Sequence, residues 1–351
     1  MLLGFDIGGT KCAIILGKLS KGQQIGPAEK ARQIEPAERT RPIEPAEKNQ
    51  QIELVEKIVL PTNKPVLDMI ESLFITAEVL LKKHAIGMEQ VEGIGISCGG
   101  PLSSKKGLIL SPPNLPGWDN IPIVQMAEKR FGKKTILQND ANACAMAEYK
   151  YGAGVGYQNI IFLTFGTGMG AGLILDGRLF SGTTDLAGEV GHLRLAEMGP
   201  VGFGKAGSFE GFCSGGGIAQ LAQTKVRGIL QMGGKVSFCK SFDDLPLLSA
   251  KLVAEAAYKG DEVALDIYRT CGRYLGRGLS LLIDILNPEI IILGSIFGRA
   301  KSLMEPYMKE VILQETLADS NAVCQIVPAA LGEHIGDMAA LTLAEMCNQT
   351  V

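Results

Sequence analysis

The run Asp6-Ile-Gly-Gly-Thr-Lys11 places an acid, two glycines, a hydroxyl and a cation side by side, which suits a turn that holds a polyphosphate. Gly8 and Gly9 lack Cβ atoms, so backbone N–H groups can face phosphate oxygens closely. Thr10 adds a hydroxyl donor and Lys11 a charge. Asp6 is placed to hold Mg²⁺ through water, because that hard ion keeps several waters and takes few carboxylates. Read alone, the same residues also fit a simple hairpin with a Gly-Gly turn and a surface lysine. A similar arrangement recurs at Gly166-Thr-Gly-Met-Gly170, and two such turns in two halves of one chain suggest a duplicated fold closing on a phosphate chain.

Other residues could act on a bound molecule. Asn139-Asp140 stands at a predicted strand-to-helix junction, where an Asp serves either as a helix cap or as a base beside a cleft. Gly188-Glu-Val-Gly-His192 carries an acid and an imidazole with little apolar company, although a lone His is more often a satisfied structural residue. A second glycine-rich loop, from Gly199, ends in Glu210. The Pro-rich stretch Ser111-Pro-Pro-Asn-Leu-Pro-Gly-Trp118 holds Asn114 and the only Trp, a pair that fits inter-domain packing or a sugar ring.

The elements that must position these groups follow from periodicity. Leu2, Leu3, Phe5 and Ile7 read as a buried strand, followed by a second at 12–16 and a third at 57–60. Helical spacing covers 68–84, 122–131 and 141–151. Strands are predicted at 91–97, 135–138 and 159–165, the first running into the glycine turn at Gly99 and Gly100. Leu173 to Phe180 is a hairpin through Asp176-Gly177. Helices follow near 218–230, 261–286, 301–313 and 337–346, with strands at 289–293, which ends in Gly294-Ser295, and at 325–327. This is an α/β pattern, in which ligands gather at the carboxyl ends of strands.

From about residue 18 to 57 the composition changes, with a nine-residue unit in four copies: Gln24–Lys30, Gln33–Arg39, Pro42–Lys48 and a decayed Gln51–Lys57. One Ile per unit builds no apolar face, and the recurring Pro interrupts helix and sheet. The stretch reads as an excursion in the loop to the third strand, with partner docking as an alternative to a tolerated expansion.

With 351 residues, two domains are expected: 1–121 with 335–351 as the smaller, bearing the insertion at 18–57, and 122–334 as the larger. A 46% hydrophobic and 20% charged composition fits a globular chain, and a net charge of −3 gives no reason to expect nucleic acid or an anionic membrane as partner. Eight scattered cysteines look reduced. No signal peptide or membrane span is visible, so a cytoplasmic protein is expected.

With these residues assembled, the sequence strongly resembles the ROK family of sugar kinases and sugar-responsive repressors, of the two-domain actin-like ATPase (ribonuclease H-like) fold with a ligand cleft between domains. The similarity covers nearly the whole chain outside 18–57. Asp6 to Lys11 looks like the first phosphate motif, Gly166 to Gly170 the second, and Asn139-Asp140 the catalytic pair. The resemblance implies Asp140 as general base toward a hexose 6-hydroxyl. It implies Gly100, Asn114, Asn139, Glu189, His192 and Glu210 at the sugar, and Gly8, Gly9, Thr10, Lys11, Thr167, Gly168, Gly294 and Ser295 at ATP, with Asp6 on Mg²⁺. It also implies a homodimer or homotetramer.

Many family members carry a cysteine-rich zinc loop after the His. Here Val201, Phe203 and Ser208 occupy the three cysteine positions, so no structural zinc is expected, and packing of Phe203 and Phe209 should hold the loop. The leading activity is ATP-dependent phosphorylation of glucose at O6. N-acetylhexosamine, mannose and fructose are alternative substrates. A regulator is disfavoured by the few residues before Asp6, and a catalytically silent sugar-binding protein by the presence of every residue the chemistry needs.

Overall fold

A computed structural model describes residues 1–21 and 50–348. The first three copies of the nine-residue unit lie outside those residues. The chain divides into two compact units. One comprises Met1–Gln158, Gly172–Ala187 and Glu333–Val351; the other comprises Asn159–Ala171 and Gly188–Gly332.

The first unit is built on a five-stranded sheet: β1 (Leu2–Ile7), β2 (Lys11–Lys21), β3 (Gln50–Pro61), β4 (Gly93–Cys98) and β5 (Thr135–Asn139), in the order β3-β2-β1-β4-β5. The pairs β1–β2 and β2–β3 are antiparallel, whereas β1–β4 and β4–β5 are parallel. β1 is apolar nearly throughout because both faces are covered. Leu3, Phe5 and Ile7 pack with Met69, Leu73 and Phe74 of helix Val66–Lys83, while Leu2 on the other face packs with Ala340, Leu341 and Ala344 of helix Ile335–Met346. Gly95 permits the close approach of that last helix, since a Cβ there would lie 2.0 Å from the Ala340 carbonyl oxygen. Trp118 is 2% exposed in the same core as Phe5, so its ring is packing material and is not presented to a ligand.

Two differences from the sequence expectation have clear causes. β3 begins at Gln50, well before the expected Lys57, and the decayed fourth copy of the repeat forms its first half. Where the second copy has Pro36 and Ala37, the fourth has Leu54 and Val55, which restores a backbone donor and favours extended structure. The sequence also points to a domain boundary at 121/122, but β5 and helix Asp140–Tyr151 group with the first unit, as parallel pairing with β4 requires.

In the second unit β6 (Ile160–Leu163), β7 (Ile290–Leu293) and β8 (Gln325–Pro328) pair in parallel, with Leu163, Leu293 and Pro328 in register. Four helices, Gly215–Gln231, Ala250–Tyr258, Glu262–Leu286 and Ile296–Glu315, supply most of its remaining bulk. The longest starts where the Asp261 side chain accepts from the Val263 and Ala264 N–H groups and stops at Asn287, which is left-handed at φ 43°. The predicted hairpin, which from Gly172 onward groups with the first unit, forms as Ala171–Leu175 with Arg178–Leu179, and Asp176 and Gly177 both have positive φ. Among the described residues no helix is long and apolar enough to cross a membrane. All eight cysteines carry free thiols, and all but Cys324 are buried.

Candidate functional site

In the first unit, sheet register does the positioning. Ile7, Cys98 and Asn139 are level across β1, β4 and β5, so the chain leaves all three strands at one edge. That edge carries Asp6, the Gly99-Gly100 turn and Asp140. The Gly8 turn is tightly fixed: its N–H donates to the Lys11 carbonyl at 3.2 Å, and Thr62 at the end of β3 donates its hydroxyl to the Gly8 carbonyl at 2.7 Å. Thr10 and Lys11 face solvent. At Gly9 a Cβ would lie 2.1 Å from the Asn114 carbonyl oxygen, and the Asn114 amide lies beside Gly99, so the Pro-rich loop is seated against both glycine turns.

Asn139, rather than Asp140, is the helix cap; its side-chain oxygen accepts from the Ala141 N–H at 2.9 Å and the Asn142 N–H at 3.4 Å. This leaves one Asp140 oxygen outside the capping role, while the other accepts from the Ala141 N–H at 2.8 Å. Asp140 keeps accessible surface, yet the protein mass around it raises its pKa, opposed by the Ala141 N–H. Asp6 is pushed up to about 6, first by burial and then by the charges of Asp140 and Asp337, with Lys57 and Lys11 opposing. A cation beside Asp6 would relieve this crowding of carboxylates, and the hard oxygen donors suit Mg²⁺. Among the described residues no three His, Cys, Asp or Glu side chains gather to enclose a metal. Water and phosphate oxygens would therefore supply the remaining ligands, the usual arrangement for that ion.

Sequence reasoning missed Asp337 and Lys57. Asp337 is nearly buried in the first turn of helix Ile335–Met346, and Lys57 on β3 bonds it at 2.5 Å. No local motif marks either residue, and only the pairing of β3 and the docking of the last helix bring them to Asp6.

In the second unit two helix N-termini meet one glycine turn. Gly215, opening helix Gly215–Gln231, donates to the Gly166 carbonyl at 2.8 Å, and Ile296, opening helix Ile296–Glu315, donates to the Phe165 carbonyl at 2.9 Å. The Gly166-Thr167-Gly168 turn thus sits beside the Gly294-Ser295 segment. The Ser214-Gly215-Gly216 entry joins them; it was legible only as a helix start. Backbone N–H groups and the positive ends of two helices make this turn suited to phosphate. Ser295 is held at φ 44°, an uncommon conformation for a residue with a Cβ.

The sugar-contact candidates of this unit also cluster. Glu210 accepts from the Met169 N–H at 3.0 Å, and a Cβ at Gly191 would lie 2.3 Å from the Met169 carbonyl oxygen and 3.2 Å from the Glu210 Cβ. His192 therefore projects from a one-turn 3₁₀ helix, Val190–His192, packed on Met169 of the glycine turn and on Glu210, with Glu189 exposed just before it. The loop at the zinc positions is held differently from expectation. Phe209 is fully buried, but Phe203 is 64% exposed. The Gln220 side-chain amide clamps the Val201 backbone with bonds of 2.9 and 2.8 Å, and Ser208 accepts from the Gly211 N–H.

Two α/β units, each with a glycine turn where parallel strands end, define the actin-like ATPase fold. The chain belongs to the ROK family, whose model matches residues 46–346. It is 31% identical over 260 residues to the glucokinase of Thermotoga maritima, covering 73% of this chain and 80% of that one. It superposes on a ROK glucokinase from Streptomyces griseus in complex with glucose and AMPPNP at a TM-score of 0.70, with 26% identity and 98% and 99% of the two chains covered. It is also 27% identical to the DNA-binding transcriptional repressor Mlc of Escherichia coli, over 75% of this chain and 62% of the repressor.

Proposed function

We propose that this protein is an ATP-dependent sugar kinase that transfers the γ-phosphoryl group to the 6-hydroxyl of a hexose, glucose before other sugars. The observation that carries the reading is the register of Ile7, Cys98 and Asn139, which delivers Asp6 and Asp140 to one sheet edge. Similarity to glucokinases supports it.

Asp140 accepts the hydroxyl proton as the alcohol attacks phosphorus, and its raised pKa brings it nearer the working pH of a base. Asn114, Asn139, Glu189, His192, Glu210 and the Gly100 turn bond the sugar hydroxyls and orient the attack. Gly8, Gly9, Thr10 and Lys11, with Thr167, Gly168, Gly294 and Ser295, hold ATP. Asp6 holds Mg²⁺ through water, and when bound that ion offsets charge on the phosphates. The reading extends to a homodimer or homotetramer in the cytoplasm, as the family resemblance implies.

A coupled assay of ADP release over glucose, mannose, fructose, N-acetylglucosamine and N-acetylmannosamine tests the reading. Glucose should give the highest kcat/KM. Saturable glucose binding without turnover on any sugar would favour the regulator reading, which the similarity to Mlc motivates.

A further inference from the structure

The hairpin that stands at the zinc positions contains a conformational anomaly beside a proposed sugar ligand. Val201–Gly202 pairs with Lys205–Ala206 through the two-residue turn Phe203-Gly204. Both turn residues have positive φ, 44° at Phe203 and 76° at Gly204. Such a turn favours Asn-Gly, and a bulky aromatic at its first position is strained. Burial does not repay the strain, because Phe203 is largely exposed.

What the ring does contact is His192, edge to face, with centroids 5.1 Å apart and planes at 79°. Lys205, directly after the turn, donates its ammonium to the His192 carbonyl oxygen at 2.7 Å. The hairpin thus grips His192 at ring and backbone. It is itself anchored by the Gln220 clamp and by close packing at Gly202, where a Cβ would lie 2.7 Å from the Gly211 nitrogen. Strain that persists without a packing gain, at a contact with a site residue, points to function.

We propose that Phe203 is a positioning residue that orients the His192 imidazole toward a sugar hydroxyl, with Lys205 fixing the backbone beneath it. The role rests on the sugar-kinase reading, but its contact with His192 can be measured independently. The chain has three histidines, His84, His192 and His334, so the His192 ring resonances can be assigned by comparison with His192→Gln.

In Phe203→Asn the turn becomes comfortable, so the thermal midpoint should rise. The His192 ring resonances should move toward those of an unstacked imidazole, and KM for the hexose should rise by about 2- to 12-fold. kcat and KM for ATP should stay near wild type, Phe203→Tyr should restore both sugar KM and resonances, and Phe203→Gly should reproduce the loss. A raised midpoint with unchanged His192 resonances and unchanged sugar KM would overturn the proposal and make Phe203 a tolerated turn residue. If wild-type protein phosphorylates no hexose, the kinase reading fails, and the resonances alone decide whether Phe203 orients His192.

Discussion

Asp6 combines two demands that oppose each other. The proposed function needs its charge beside phosphate and cation, yet burial and the neighbouring Asp140 and Asp337 push its pKa to about 6 from an ordinary 3.8. The folded chain then holds the Asp6 proton more tightly than the unfolded chain, so ligand-free stability falls as pH rises from about 4 to 6. The difference amounts to about 3 kcal/mol at neutral pH. Asp6→Asn should therefore stabilise the ligand-free protein at pH 7 by up to that amount in urea titration while abolishing phosphorylation, and the stabilisation should vanish near pH 4. No gain at pH 7 would mean that Asp6 is not strained by its neighbours. Because burial raises the pKa of Asp140, phosphoryl transfer should begin to fall on acidification at a higher pH than an ordinary carboxylate would dictate, without a matching loss of folded protein by circular dichroism. Both acids were legible in the sequence, because each stands at a strand end, Asp6 before the glycine turn and Asp140 before the Ala-rich helix. Their environment was not, since Asp337 lies more than three hundred residues from Asp6 along the chain.

At the scale of elements, helix Asp140–Tyr151 carries the proposed base, and a buried ion pair ties it to the last helix. Lys150 bonds Glu345 at 2.8 Å with its side chain fully buried, and the Tyr151 hydroxyl donates to the same carboxylate at 2.6 Å. Removing only the cation leaves a buried charge without its counter-ion, so Lys150→Met should cost about 3–5 kcal/mol in denaturant titration. Lys150→Met combined with Glu345→Leu should recover most of it. An equal loss in single and double variants would show that packing, and not charge, dominates. Strongly periodic elements were readable from the chain: helix Val66–Lys83 from its apolar spacing, and helix Glu262–Leu286 as the long helical stretch at 261–286. Helix Ala250–Tyr258 and the short pairing at Val201–Gly202 were not, because one is brief and the other depends on the Gln220 clamp. The early start of β3 was missed because a repeat that reads as irregular changes character in its last copy.

At the scale of the whole molecule, the proposed chemistry names residues of both units, whereas the described part of the repeat, its fourth copy, lies in β3 at the edge of the first sheet. Lys21 pairs with Gln50 across β2 and β3, so a short turn joining these two residues should replace 22–49 with little effect on stability or phosphorylation. Extending the deletion to residue 56 should be damaging, since it removes half of β3 and approaches Lys57, the partner of Asp337. Equal tolerance of both deletions would contradict the structural role given to the fourth copy. The family and the fold are established by similarity along most of the chain; that Asp140 is the base of a sugar kinase is the claim that most needs a direct measurement. Glucose-dependent ADP release by wild type and Asp140→Asn, paired with calorimetric glucose affinity, provides it. The account predicts a fall in kcat of about 10²- to 10⁴-fold with glucose affinity nearly unchanged, and an Asp140→Asn variant that turns over at the wild-type rate would contradict it.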